Sequence, residues 1–586
     1  MKQFKYYILF IGILGLCTSC VDDLLNRNTT TQLSSETYWR NPDDALYVTM
    51  GVYEATRTLF GRDYYFDGQG EFQYTRGTSL GSGTWNPSAN GSGFSYMWNN
   101  AYRVINRANF VIANVEPMIE KETLADVKTK LEQINGENHF LRALAYFRLI
   151  QLWGDVPYFA HVLSGNDEAT SLPRMPIAEI KDNIINDLTY AISVLPPSYS
   201  SSDKGRATQV AAYGFRGKVK LYWASWKKNG WDELQGFTKD AGEANTYFQQ
   251  AAQDFNQVIT GYGLKLYKDG DPGTADNPSY WELFNATNTE YDPEIIFSVQ
   301  FGGPNMQGQG EELLRDFGTR TTGNAQCWIS TNNRLADRYQ SLTTGDFLDP
   351  VILNSSATLP GGACNPQTYE NRDYRMKATI LWDGQSLLRI STDGMTLGAS
   401  MPFKFGASDG VNNINYDAPG IPGYLFRKWV RQWGGAERSQ GPQDFYLMRL
   451  PDVYLMYCEA ENEVNGPSSG LVDLIDKIRK RGNLPGLAPA KYADKAEFFK
   501  AIEQERIVEL IAEGHRPFDI RRWRKVEEIW GAPGGLGLTM FNTQGGRVRD
   551  EFRSVPARDY QRYYIYQIPT AERERNPNLT QNQPWL

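Results

Sequence analysis

Residues 137–153 read ENHFLRALAYFRLIQLW. Apolar side chains fall on nearly every side of a 3.6-residue period there, as expected of a helix buried all round. Gly154-Asp155-Val156-Pro157 stops it. Similar segments recur downstream. Pro176 fits a first helical turn, and Ile177, Ile180, Ile184, Leu188, Ala191 and Leu195 mark one face up to Pro196-Pro197. Thr208 is a candidate N-cap for a helix reaching about Trp226, with Ala212, Phe215, Val219 and Tyr222 aligned. Residues 247–260 repeat the pattern and close at Gly261.

These helices start near 139, 178, 209 and 246, giving gaps of 39, 31 and 37 residues. The gaps lie close to the helix-turn-helix period of tetratricopeptide arrays, although the strict consensus is absent. Such units stack into a superhelix because none buries its apolar face alone. Upstream, Leu46, Met50, Tyr53 and Leu59 predict a helix over 43–60, and another begins at Trp98, with Tyr102, Ile105, Asn109 and Ile112 along one side. Helical patterning resumes at 451–464, at 471–480 and at 498–513. Lys477, Arg479 and Lys480 complement the dipole of the second of these, and Gly482 ends it. In the third, Glu505, Glu509 and Glu513 share a face at i, i+4 and i+8 and read as an Arg-paired or solvated stripe. Residues 262–445 are rich in Gly, Pro, Asn and Thr, with short apolar runs such as Ile295–Val299. The expected fold is mainly α: a tetratricopeptide-like superhelix of about four helix pairs. Its frame spans 43–261 and 446–530, and an irregular, loop-rich insert with short strands spans 262–445.

One stretch of the frame does not read as helix. Residues 61–98, GRDYYFDGQGEFQYTRGTSLGSGTWNPSANGSGFSYMW, hold nine aromatics and eight glycines. Long connections of this kind inside compact domains are functional or disordered, and disordered segments are poor in aromatics. Flat rings with Asp, Asn and Arg between them suit a ligand surface. Rings that plug the core are the competing reading.

The chain has 586 residues, a length that ordinarily implies two or more domains. Its formal charge of −8, diffusely spread, argues against nucleic acid, which calls for a basic face. Lys2 and Lys5 precede an apolar run at 6–16, too short to span a bilayer and of signal-peptide length. Leu16-Cys17-Thr18-Ser19-Cys20 follows and is similar to a bacterial lipobox, with Cys17 departing from the usual Leu. Residues 1–19 then form the signal peptide, Cys20 is the lipidation site, and 20–42 is a tether; an ordinary signal peptide with soluble release is the alternative. Acylation holds a protein on a membrane firmly only when several chains are attached. Cys327, Cys364 and Cys458 remain, an odd count that makes no disulfide framework. Cys458 reads as a buried small hydrophobe, and a Cys327–Cys364 pair is neither demanded nor excluded.

Several blocks together are similar to the signatures of the SusD/RagB family of surface glycan-binding lipoproteins. They are Phe140-Leu141-Arg142-Ala143, Trp153-Gly154-Asp155-Val156-Pro157, Asn371-Arg372-Asp373-Tyr374-Arg375 and Arg449-Leu450-Pro451-Asp452-Val453-Tyr454-Leu455. Glu505-Arg506-Ile507-Val508-Glu509-Leu510, Glu513-Gly514-His515-Arg516-Pro517-Phe518-Asp519 and Asn576-Pro577-Asn578-Leu579-Thr580 complete the set. The resemblance runs from the lipobox to the C-terminus. It implies a body spanning 43–586 built on four tetratricopeptide-like pairs, an outer-membrane location, and a SusC-like TonB-dependent transporter as partner. Arg142, Glu505, Arg506, Glu513 and Arg516 are expected to pair and cap inside the scaffold, since buried charges need partners.

The expected function is capture of polysaccharide or oligosaccharide and delivery to that transporter, without catalysis. Aromatic rings cover the C–H faces of sugars while Asp, Asn, Gln and Arg satisfy the hydroxyls. Trp85 is the leading platform, because small residues precede it; Tyr65, Tyr74 and Trp328 follow, with Asp67, Arg76, Asn86 and Asn324 as polar partners. Asn332, Asn333, Trp429 and Trp433 belong to the wider set of candidates in the insert. Two other classes compete. A surface glycoside hydrolase needs two facing carboxylates, for which no motif is recognisable. A helical scaffold for a peptide or protein is the other. His139, His161 and His515 are far apart without HExxH spacing, so neither a metal nor a cofactor is expected.

Overall fold

The structure is a computed structural model and describes residues 38–75, 92–200, 203–285, 289–302, 310–352, 356–403, 414, 424–530, 539–541, 547–550 and 560–586. Among these residues, nine helices of thirteen residues or more carry the fold. They are α1 Pro42–Phe60, α2 Ser92–Lys121, α3 Ala125–Trp153, α4 Ile177–Val194, α5 Gln209–Asn229, α6 Ala241–Gly261, α7 Leu450–Asn465, α8 Ser469–Arg481 and α9 Lys495–Leu510. Each of α1 to α7 packs on the next, and α7, α8 and α9 pack on one another. The array is a mainly α, tetratricopeptide-like superhelix. It stays continuous across the insert, because α6 and α7 are neighbours in space although the chain departs at Gly261 and returns at Leu450.

Local chemistry sets the helix ends. Asn41 caps α1 by accepting from the Asp44 N–H at 3.0 Å, ahead of Pro42 at the first position. Thr208 caps α5 by accepting from Ala211 N at 3.2 Å, as its position predicts. Asp240 and Asp494 cap α6 and α9 in the same way. Gly154 ends α3 at φ 69°, a conformation that a Cβ disfavours.

Three sequence expectations need correction. Helix α3 begins at Ala125, because its first turns are polar and solvent-facing and only the part from Leu131 onward is buried. On α1 the inward face is Ala45, Thr49, Val52, Ala55, Thr56 and Leu59, and Met50 is exposed. Small residues bring this helix close to its neighbours, a signal that a search for large apolar side chains passes over. Glu513 is not on α9, which ends at Leu510; Ile511 is extended and Ala512 has φ 64°.

The insert carries short antiparallel ladders. Strands β1 Gln73–Thr75 and β3 Ile329–Thr331 pair, as do β2 Ile295–Val299 with β6 Phe445–Arg449 and β4 Ile380–Leu381 with β5 Leu425–Phe426. Strand β6 runs straight into α7, and Leu450 N donates to Glu294 O at 2.9 Å, so this ladder joins insert to frame. Cys327, Cys364 and Cys458 are all buried.

Behind that junction lies a buried, charge-balanced cluster. Arg449 reaches Glu294 and Glu513, each at 2.6 Å, and Glu509 at 3.1 Å. Arg481 pairs with Glu294 and, at 2.7 Å, with Glu509. Arg375 holds Asp373 at 2.7 Å and Glu505 at 2.9 Å, Arg479 holds Glu505 at 2.9 Å, and Lys428 holds Glu513 at 2.7 Å. Five cations thus face five carboxylates. The glutamate stripe is Arg-paired, and Arg479 turns inward to it instead of complementing its own helix dipole. Burial raises the pKa of Glu513, but Arg449 and Lys428 outweigh it and hold the carboxyl down at about 2. A second cluster joins Lys218, Arg506 and Arg522 to Asp452, Glu459 and Asp519. Arg142 pairs with Asp187 at 2.6 Å. The charged residues of the signature blocks are scaffold.

Removing one member of such a cluster strands the others. Arg449→Met leaves Glu294, Glu509 and Glu513 short of a buried counter-charge and is expected to cost about 3–5 kcal/mol in urea unfolding.

Candidate functional site

The aromatic stretch divides into distinct elements. Residues Asp63–Gln69 form a 3₁₀ turn, Gln73–Thr75 form β1, and the helix α2 already begins at Ser92. The first part faces inward. Tyr64 packs against Phe317 and Phe445 with ring centroids 5.2 and 5.4 Å away, and Phe66 packs on Phe518 at 5.0 Å.

Two expected ligand residues lie here, and both are corrected by their burial. Tyr65 is only 4% exposed, with its ring 5.1 Å from that of Tyr64. Burial, with Asp316 beside it, pushes its hydroxyl to a higher pKa. Asp67 is 1% exposed and accepts the backbone N–H groups of Glu513, Gly514 and Arg516 at 3.0 to 3.1 Å. Its carboxylate ties the aromatic stretch to the turn after α9. Aromatic and acidic residues in a glycine-rich run read alike from sequence whether they serve core or surface.

The second part is buried except at Tyr74. In the β1–β3 ladder Gln73 lies opposite Thr331, Tyr74 opposite Ser330 and Thr75 opposite Ile329. Gln73, Thr75, Ile329, Ser330 and Thr331 are buried, and Tyr74 alone of the ladder is half-buried. Alternation puts Tyr74, Ser330 and position 328 on one face, with Tyr74 and Trp328 as diagonal neighbours across the strands. Trp328 is also half-buried, and its indole N–H donates to Gln326 Oε1 at 2.6 Å. With that N–H engaged, the partly exposed ring, which also packs on the core, has no donor left to offer.

The ladder is fixed from both ends. Thr331 Oγ1 donates to Phe72 O at 2.6 Å, and Asn332 Nδ2 donates to Glu71 O at 2.9 Å while its Oδ1 caps the turn that follows. Thr331 also exchanges backbone hydrogen bonds with Tyr424, extending the layer through β5 to β4. Before β3 the chain turns tightly, with Asn324 at φ 52° and Cys327 at φ 46°. Asn324 is half-buried at this turn; its side-chain oxygen accepts from Arg320 at 3.2 Å and its backbone oxygen from Arg438.

The structure therefore places Tyr74 and Trp328 at diagonal positions of one ladder face and puts Asn324 on the same loop as Trp328. Asn332 is a structural cap, and Trp429 is fully buried with its N–H on Ala512 O at 2.9 Å. Arg76, Trp85, Asn86 and Cys20 lie outside the described residues. Sequence reading misses the partnership of residues 74 and 328 and the supporting roles of Arg320 and Arg438. Three-residue strands leave no usable period, and nothing in the sequence marks which distant strands pair.

Comparison with known proteins agrees with this architecture. Residues 293–585 match the SusD family, and residues 67–221 match a family described as starch-binding associating with outer membrane. The SusD-like protein P25 of Formosa agariphila is 24% identical over 88% of this chain and 89% of its own length. A SusD-like carbohydrate binding protein from Bacteroides fragilis shares the fold with a TM-score of 0.69, at 21% identity over 93% of this chain and all of that one. A laminarin binding SusD-like protein shares it with a TM-score of 0.60, at 21% identity over 93% of this chain and 99% of that one.

Burial separates the two halves of the stretch by experiment. Asp67→Ala orphans three buried N–H groups and is expected to cost about 2 kcal/mol or more in urea unfolding. Trp328→Ala, at a half-buried position that leaves no buried polar group unpaired, is expected to cost less, about 1 kcal/mol. With the SusD family matched over half of its length, residues 293–585, the chain belongs to the SusD family.

Proposed function

We propose that this protein captures polysaccharide or oligosaccharide at the bacterial surface and passes it to a SusC-like TonB-dependent transporter, without chemistry of its own. In this reading acylated Cys20 anchors it to the outer membrane, and residues 20–42 tether a body of residues 43–586. The observation that carries the reading is that Tyr74 and Trp328, diagonal neighbours on the β1–β3 ladder, each stay partly exposed where Ser330 and the other ladder positions are buried. Rings held this way present apolar faces to the C–H side of a sugar without first having to be ordered. Trp85, Arg76 and Asn86 follow β1 in the chain and are proposed to extend the same surface, with Asn324 at its edge. Family membership, the starch-binding description of the second matched family and the laminarin-binding neighbour support a glycan as the ligand.

Affinity electrophoresis through gels containing laminarin, starch, xylan or mannan tests this. Retardation by at least one polysaccharide is expected. Trp85→Ala and Trp328→Ala are each expected to weaken binding about tenfold, equivalent to roughly 1.4 kcal/mol. Migration unaltered by every gel would overturn the proposal, and release of reducing ends abolished by a carboxylate substitution would favour a hydrolase.

A further inference from the structure

Behind the ladder, an open groove of about 700 Å³ runs between α9 and the segment 338–347. That volume lies within the range of small-molecule sites. Its most specific feature is a three-layer stack. The Arg338 guanidinium carbon sits 5.5 Å from the centroid of Phe72 and 5.9 Å from that of Phe347. Phe72 is buried, whereas Phe347 is 49% exposed at the groove. Leaving an aromatic ring this exposed, with a cation behind it, does nothing for the core. One guanidinium N–H of Arg338 donates to Gln504 Oε1 at 3.5 Å, and the carboxylates that act on it electrostatically, Glu71, Glu503 and Asp337, form no ion pair with it among the described residues. The guanidinium therefore has donors in excess of its protein partners.

The rest of the lining is charged but internally compensated. Lys491 pairs with Asp346 at 3.1 Å, Lys500 with Glu497 at 2.7 Å, and Lys525 with Glu503 at 2.5 Å. Seven cations face eight carboxylates around the groove. A highly charged ligand would have to break these pairs, whereas a neutral polyol uses their remaining donors and acceptors as they stand.

We infer that this groove is a second saccharide-binding cleft, distinct from the Tyr74–Trp328 surface, and that it takes an uncharged oligosaccharide. The sugar's C–H face stacks on Phe347 and its hydroxyls accept from Arg338. This inference rests on the glycan-binding reading above. The two clefts are built on adjoining residues: Glu71 lines the groove and Phe72 backs its stack, while residues 73–75 form β1. One chain then holds a polymer at two fixed points, and the second contact is intramolecular.

Isothermal titration of the full chain with laminariheptaose, maltoheptaose and xylohexaose tests this, alongside electrophoresis through the matching polysaccharide. Two sites per chain are expected for the oligosaccharide that binds. Phe347→Ala and Arg338→Gln should each abolish one site and leave the other, and Trp328→Ala should do the reverse. Because Phe347 is half-exposed, its alanine variant should keep the wild-type melting temperature while losing about a hundredfold in retention by polymer, the lower end of what a tethered second contact contributes. A single site that Trp328→Ala removes and Phe347→Ala leaves intact would overturn the second cleft and leave the proposed function standing. Preference of the groove for a uronate or sulfated oligosaccharide would overturn the ligand class. Failure of the wild-type chain to bind any of these sugars would overturn the proposed function and this inference with it.

Discussion

Neutrality of the buried charge is the constraint from which the rest of this structure follows. Moving an ion from water into the interior costs several kcal/mol even after relaxation, and only close, hydrogen-bonded partners offset it. Arg449 and Arg481 come from the frame, yet their partner Glu294 belongs to the insert. Arg375 and Lys428 belong to the insert, yet they need Glu505 and Glu513 from in and just after α9. The insert contributes two cations and two carboxylates and the frame three of each, but the pairing crosses between them: Glu294 pairs with Arg449 and Arg481 of the frame, and Lys428 with Glu513. The irregular insert is therefore held against the helices by ion pairs whose partners would be stranded if the two halves parted.

That attachment positions the candidate site. Asp67 binds the aromatic stretch to the turn at Glu513–Arg516, and the carboxylate of Glu513 in the same turn sits on Arg449 and Lys428. A single turn after α9 thus couples the charge cluster to the chain that becomes β1. From there the register of β1 on β3 sets Tyr74 beside Trp328. Stability is concentrated in the frame and its junction, and the rings stand at the end of a rigid path, which lowers the ordering cost of binding.

The helical frame was legible in the sequence because helices declare themselves locally, through the run of Glu137–Trp153, the cap at Thr208 and the stop at Gly154. The charged signature residues were legible as scaffold because Arg and Glu at helical spacing in apolar surroundings must pair. The site was legible only in part. Tyr65 and Tyr74 lie nine residues apart in one glycine-rich run, and what separates them is that Tyr65 falls in a buried 3₁₀ turn and Tyr74 at the one half-buried position of the β1–β3 ladder. That depends on a pairing with residues more than two hundred positions away. Asp67 looked like a sugar ligand for the same reason: its partners are backbone amides of a distant turn, which leave no mark on composition.

Native-state hydrogen exchange on the intact chain tests most directly whether the buried ion pairs that cross between insert and frame make them one unit. If they do, the amides of β3 and of α9 should exchange only through the same global unfolding, with matching free energies that fall together in Arg449→Met. Exchange of β3 through a separate, lower-energy opening while α9 stays protected would contradict the account.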